Sequence, residues 1–533
     1  MKRSRVLTLF LALLLAGVVP SGASAQEKPR YGGILNWYDY ADPGRLDIHT
    51  EGPLAVQQAI AGVYSGLLHH DPDDPARISG DLAERWAVSP DGKTYTFNLR
   101  NGVKWHDGQP FSAADVKATF DRILHPDFRS PRCGTMLKPI VSSVEVVDSH
   151  TVQIRLKFAT GAFVPNLASA WCRIVAKHTL EKHGNDLSKP EAQIGTGPFK
   201  FKKYERGNLI EWEKNKEYFI PGLPYLDGVK QFILPAVQTQ LLAAKAGRIM
   251  LWDTWPPMSK TQADEVKKAR GDEVKIYQAP LNTIFMIFFH TQKTPFNSPD
   301  MRRAVNLAID RQELVAKTLE GAGVPCALLD PQLVGDFALP LEQVNKLPGC
   351  RQPKDQDIAE ARKLVEKHYP NGVDVEAAFR AVGGYSDRAQ IILSQLRKIG
   401  IRGTLKPYES AAGFAVFGKG DFTFIVVQDL PMATIDPGDV FNALFMTGGG
   451  RNYGKWSDPK VDAWIDQALK APTREQRRQT YHELQRYLLT QDMSAVTAGW
   501  VEGWFFLDKR VRGYKVAPTV YDNNTFMRVW LAQ

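Results

Sequence analysis

Two short stretches constrain the fold most. TYTFNLR (94–100) sets Tyr95, Phe97 and Leu99 against polar neighbours, and TVQIRLKF (151–158) does the same with Val152, Ile154, Leu156 and Phe158. Successive side chains leave a strand on opposite faces, so each stretch reads as a half-buried strand. Helical signals stand elsewhere. In NSPDMRRAVNLAIDRQELVAKTLEG, Ser298 is placed to cap and Pro299 to occupy the first helical position, after which Met301, Val305 and Ile309 share a face. Asp310 followed by Glu313 reads as a second capping box, and Gly321 as a stop. The chain is mixed α/β.

The N-terminus says where such a chain works. Lys2, Arg3 and Arg5 precede the apolar run VLTLFLALLLAGVV, and Ala23-Ser24-Ala25 follows. This is the pattern of a secretory leader cleaved after Ala25, too short to span a bilayer comfortably. No cysteine sits at the cleavage point, so an exported protein without a lipid anchor is expected. The remaining residues, 26–533, are too many for one ordinary domain. With 67 basic and 58 acidic residues the chain carries +9, and loss of the three leader charges leaves +6 without any dense Lys/Arg run. Nucleic acid is therefore not an expected partner. Four cysteines remain: Cys133, Cys172, Cys326 and Cys350. An even count in an oxidising compartment favours disulfides, with nearest-neighbour pairing the simplest of three arrangements. Metal ligation is the rival reading, without a C-x-x-C or paired histidines to support it.

Several catalytic motifs are approached and missed. GGGRNYGKW (448–456) supplies Gly449, Gly454 and Lys455 of a phosphate loop, but Trp456 stands where a hydroxyl must hold magnesium. The helix start, Ser457-Asp458-Pro459, also comes after the motif has ended. His482-Glu483 is followed by Arg486 where a zinc hydrolase needs a second histidine, and GGYSD (383–387) lacks the closing glycine of a nucleophile elbow. His69-His70 are adjacent on an extended chain and point oppositely. Gly195-Thr196-Gly197-Pro198-Phe199 is too short for a dinucleotide fingerprint. No cofactor is expected.

Read in order, YGGILNW, VYSGLLHHDP (63–72), DLAERWAVSPDGKTYTFNLRNGVKWHDGQPFSAADVKATFDRIL (81–124), GTGPFKF (195–201), TPFNSPDMRRAVNLAIDRQELV (294–315) and NYGKWSDPKVDAWIDQALKAPTREQRRQTYHELQRYLL (452–489) form a different pattern. From about residue 31 onward the chain resembles family 5 extracellular solute-binding proteins, the oligopeptide, dipeptide and nickel type that serves ABC importers. The resemblance implies a bilobed periplasmic-binding-protein fold of the large three-domain type, closing at a hinge over its ligand. Its segments would interleave: domain I at 26–70, 189–290 and 508–533, domain II at 71–188, and domain III at 291–507. It also implies a monomeric periplasmic capture subunit for a peptide or similar solute, working with permease subunits and cytoplasmic ATPases. No enzymatic activity is implied. The alternatives are a secreted hydrolase, which would need an activated nucleophile that the motifs do not supply, and the same fold used for sensing or for a glycan, opine, amine or nickel complex.

Candidate ligand residues follow from the same resemblance. Tyr38, Tyr40 and Asp42 precede the LDIH stretch, with Asp42 at the matching acidic position. Ala246-Gly247-Arg248-Ile249-Met250 departs from the family pattern by losing both acids, and then Trp252, Asp253 and Trp255 could sandwich a ligand and pair a cation. After FTFIVV (422–427) the expected Gly-Trp is absent. Asp429 is the first candidate for clamping an amino group, and Asp436 the second, since Asp436 can equally cap a helix. Tyr408 and Gln428 complete the set. A carboxylate standing alone at the cavity wall would favour a cationic ligand.

Overall fold

A computed structural model describes residues 27–532 except 75–76, 383, 472, 492–494, 518, 520 and 523–524, and omits the side chain of Ala411. The leader at 1–25 lies outside the described residues. Among them, no helix is long and apolar enough to cross a membrane.

Both sequence-predicted strands form, as Thr94–Leu99 and Thr151–Leu156. They lie side by side in a four-stranded antiparallel sheet with Ala83–Val88 and Val141–Asp148 at its edges. Phe97, Leu99, Val152, Ile154 and Leu156 are buried, as the alternation requires. The helix Ala113–Leu124 packs on this sheet; Ser112 caps it, accepting from Ala114 N at 3.3 Å while Asp115 Oδ2 accepts from Ser112 N at 2.9 Å. A second four-stranded sheet is assembled from distant parts of the chain, in the order Ile34–Asp39, Gly228–Ile233, Leu209–Lys214 and Phe199–Glu205. Its first pair is parallel and the others antiparallel.

The third sheet has seven strands. Leu251–Trp252, Ala495–Asp508, Val274–Phe289, Phe424–Pro431, Val373–Arg380 and Ile401–Tyr408 follow one another, and Gly323–Pro325 also pairs with Ala495–Asp508. The two long strands run antiparallel as a ribbon whose register slips between Pro280 and Thr283. Asn282 sits in that slip at φ 48, and its amide donates to Thr434 O at 2.9 Å.

The helix starts expected at Pro299 and Asp310 are both present, but their capping differs. Ser298 makes no side-chain cap, whereas Asp310 Oδ1 accepts from Glu313 N at 3.0 Å. Glu313 does not complete a capping box, because its carboxylate is taken by Lys317 and Gln395. The cysteines pair as nearest neighbours, Cys133 with Cys172 and Cys326 with Cys350.

The WHDG stretch has a structural explanation. His106 Nδ1 accepts from Gly195 N at 3.3 Å and its Nε2 donates to Gly197 O at 3.0 Å, so the imidazole rivets the GTGPF segment to the 94–156 sheet region. A Cβ on Gly195 would lie 1.9 Å from Val63 O, which leaves no room for any side chain there. Burial lowers the His106 pKa to about 4. The unfolded chain therefore binds more protons between about pH 6.5 and 4, and stability falls as pH drops through that window. His106 alone should account for a loss on the order of 3 kcal/mol. Urea titrations at several pH values should show a shallower acid slope for His106→Gln than for the parent; equal slopes would remove His106 from this role.

Candidate functional site

Segments that the sequence assigns to different domains touch. Ser169 Oγ donates to Ala433 O at 3.3 Å, and Lys470 Nζ lies 5.4 Å from the Phe158 ring. Near these contacts, Tyr40, Asp439 and Arg451 are half-buried, and each interacts electrostatically with Arg132 or Arg380. We take the space among these residues as the candidate gap for a ligand. Around the same gap stand Arg132, Arg380, Tyr453 and Tyr521. Arg132 donates to the Tyr521 hydroxyl at 3.0 Å and to Gly52 O at 2.9 Å, and stacks over Trp171 at 5.2 Å. Arg380 ends the Val373–Arg380 strand, donates to Ser410 Oγ at 2.7 Å and Gln428 Oε1 at 3.2 Å, and lies 4.1 Å over Phe414. Arg451 Nη1 donates to Pro431 O at 2.7 Å.

These groups feel one another. Burial raises the Tyr453 phenol, and Arg451, Arg380 and Arg132 all oppose that rise. Burial lowers the Arg451 guanidinium, and Arg132 across the gap lowers it further. Asp439 is held above the usual carboxylate range by burial, with Arg451 and Arg132 pulling it back. Its Oδ2 accepts from Ala433 N at 2.6 Å and Thr434 N at 3.2 Å.

The residues expected from the sequence divide into three groups. Tyr40 lines the gap. Tyr38 and Trp252 are core: both are fully buried, their rings meet at 5.3 Å, and Trp252 Nε1 donates to Pro256 O at 2.8 Å. With Trp252 enclosed in this way, it forms no sandwich with the half-buried Trp255. Asp253 belongs to a separate interior recess with Tyr277, Leu281, Phe505 and Tyr514. There it accepts from Trp37 Nε1 at 2.8 Å and Tyr514 OH at 2.5 Å, and burial raises its pKa to about 6.

The remaining acids have partners within the protein. Asp42 is bound by the Tyr204 hydroxyl and by Gly207 N at 2.6 Å. Asp429 accepts from Arg388 Nη1 through both oxygens, at 2.7 and 2.8 Å. Asp436 caps the helix Pro437–Leu444 and accepts from Arg477 Nη2 at 2.8 and 2.9 Å. Neither Asp429 nor Asp436 is the lone carboxylate that the argument for a cationic ligand requires. Gln428 is buried and shared between Arg380 and the Asp429 carbonyl, while Tyr408 packs edge-on against Phe417. No motif marks Arg132, Arg380, Asp439 or Arg451. Arg451 does come from the loop that imitates a phosphate site. That loop is closed by Asn452, which accepts from Trp456 N at 3.1 Å and donates to Trp456 O at 2.8 Å.

Comparison with known proteins agrees with this architecture. Residues 77–452 match the model for bacterial extracellular solute-binding proteins, family 5 (middle). The glutathione-binding protein GsiB of Salmonella typhimurium is 28% identical over 450 residues, covering 83% of this chain and 84% of that protein. The periplasmic binding protein DppA of Helicobacter pylori, associated with an ABC transporter and solved with the peptide STSA, is 25% identical, with TM-score 0.81 over 95% of this chain and 99% of its own. The binding protein AgaA of A. tumefaciens R10, solved with agropinic acid, is 25% identical, with TM-score 0.79 over 94% of this chain and 99% of its own. With the family match spanning most of the chain and the bilobed architecture shared with the solved relatives, the protein belongs to the family 5 bacterial extracellular solute-binding proteins.

Proposed function

We propose that the protein is the periplasmic capture subunit of an ABC importer, exported by the leader at 1–25 and acting as a monomer. It holds a peptide or similarly sized solute in the gap lined by Tyr40, Arg132, Arg380, Asp439 and Arg451, and performs no chemistry on it. The observation that carries this reading is the cluster of half-buried Tyr40, Arg132, Arg380, Asp439 and Arg451 near the Ser169–Ala433 contact. In this reading the chain forms interleaved domains, 26–70, 189–290 and 508–533 around 71–188 and 291–507. The hinge is the long-strand ribbon, bending where its register slips at 280–283. A bulge leaves backbone unpaired locally, so it is the least costly place for such a ribbon to flex. A solute touching both lobes favours the closed state by its difference in affinity for the two states, and the permease would recognise that shape.

Small-angle scattering of the processed protein, with and without a periplasmic small-molecule extract, tests this. The radius of gyration should fall when extract is added. An unchanged curve, accompanied by hydrolysis of an extract component, would mark a secreted hydrolase instead.

A further inference from the structure

Resting on the capture reading, we propose that the gap selects an anionic solute, whose carboxylate or phosphate oxygens are gripped by Arg132, Arg380 and Arg451. Buried arginines elsewhere in this protein are either paired with a carboxylate, as Arg122 with Asp47, Arg270 with Asp508, Arg388 with Asp429 and Arg477 with Asp436, or, like Arg311, saturated by carbonyl and amide oxygens. Among the described residues, no Asp or Glu oxygen lies within 4 Å of Arg132, Arg380 or Arg451. A guanidinium carries five N–H donors. Arg132 and Arg380 each make three hydrogen bonds and Arg451 makes one, so all three keep donors to offer. The acid nearest to them electrostatically, Asp439, spends one oxygen on the Ala433 and Thr434 amides.

Half-buried cations without a salt-bridge partner lose hydration that one nearby carboxylate, Asp439, does not make good for three of them, and a bound oxyanion offsets that loss. Arg132 comes from the 71–188 segment and Arg451 from the opposite lobe, so closure brings like charges together. An anion between them turns that repulsion into attraction and so couples binding to closure. Half-buried Tyr40 presents a ring for the body of the solute, while fully buried Trp171 supports Arg132 from behind. The cation-selecting arrangement expected from Asp429 is thereby reversed.

The experiment pairs thermal-shift and calorimetric titrations of the full-length processed protein with scattering. The probes are an acidic tripeptide, its amide and its lysine counterpart, and a sugar phosphate against the free sugar. Stabilising probes should all be anions, with the peptide and phosphate arms separating the two oxyanions. Arg451→Gln and Arg380→Gln should each weaken binding at least about tenfold, and Arg451→Lys should recover part of the loss. Without solute, Arg451→Gln should shrink the radius of gyration, since one repelling charge is gone. Stabilisation by neutral or cationic probes alone, or anion binding indifferent to both glutamine variants, would overturn the selection while leaving capture standing. A ligand-free radius that stays equal or grows would overturn it even if no probe binds, and failure of every probe counts separately against capture.

Discussion

Asp429→Ala should destabilise the protein by about 3–5 kcal/mol, because it strands Arg388 as an unpaired buried cation. Both side chains are almost wholly enclosed, and both Asp429 oxygens accept from Arg388 Nη1, at 2.8 and 2.7 Å, so the carboxylate is already neutralised within the protein. Arg388 also lies 5.1 Å over the Phe285 ring, so the orphaned charge would sit in apolar surroundings. Replacing both partners by leucine should restore much of the loss, since two well-packed apolar groups of similar volume avoid the desolvation of two ions. Urea unfolding of the two single variants and the double variant makes this a cycle. A loss below about 1 kcal/mol for Asp429→Ala would mean that the carboxylate is exchangeable with solvent or solute, and would return it to the ligand site.

Removing the Cys133–Cys172 disulfide, by alanine at both positions, should cost about 4 kcal/mol. The bridge spans a separation of 39 residues, and the chain-entropy relation for a loop of that length gives this value. The same change should weaken solute binding, because Arg132 and Trp171 each precede one of the two cysteines and stack at 5.2 Å. The bridge holds one wall of the gap in shape. Removing Cys326–Cys350, with a separation of 24, should cost nearly as much stability. That bridge belongs to the core around Phe337 and Val344, and neither of its cysteines adjoins a residue of the gap in sequence, so binding should persist. Equal binding losses for the two double variants would contradict this division of roles.

The parts of the fold legible in the sequence are those governed by near neighbours. The alternation at 94–99 and 151–156, the Asp458-Pro459 helix start and the Asp310 cap each depend on residues a few positions apart. Cysteine pairing was narrowed to three arrangements by count alone, and proximity in space decided among them. The site was far less legible, because its chemistry depends on partners remote in the chain. Asp429 meets Arg388 and Asp436 meets Arg477, each across 41 positions, so nothing local shows that these acids are neutralised. Trp252 stands beside Asp253 in sequence, yet Tyr38 and Phe506 enclose its ring. Arg132 and Arg451 stand far apart in the sequence, so nothing local shows that they act on one another. In the loop that imitates a phosphate site, Trp456 is buried and the helix starts beyond the motif, at Pro459.

Capture of a solute between the lobes is tested most directly by native mass spectrometry of the protein taken from its own periplasm, followed by denaturing release of whatever is bound. The predicted result is a species heavier than the processed chain, which on denaturation yields a small anionic solute in unaltered form. A mass that stays at that of the processed chain, even after the periplasmic small-molecule extract is added back, would contradict capture.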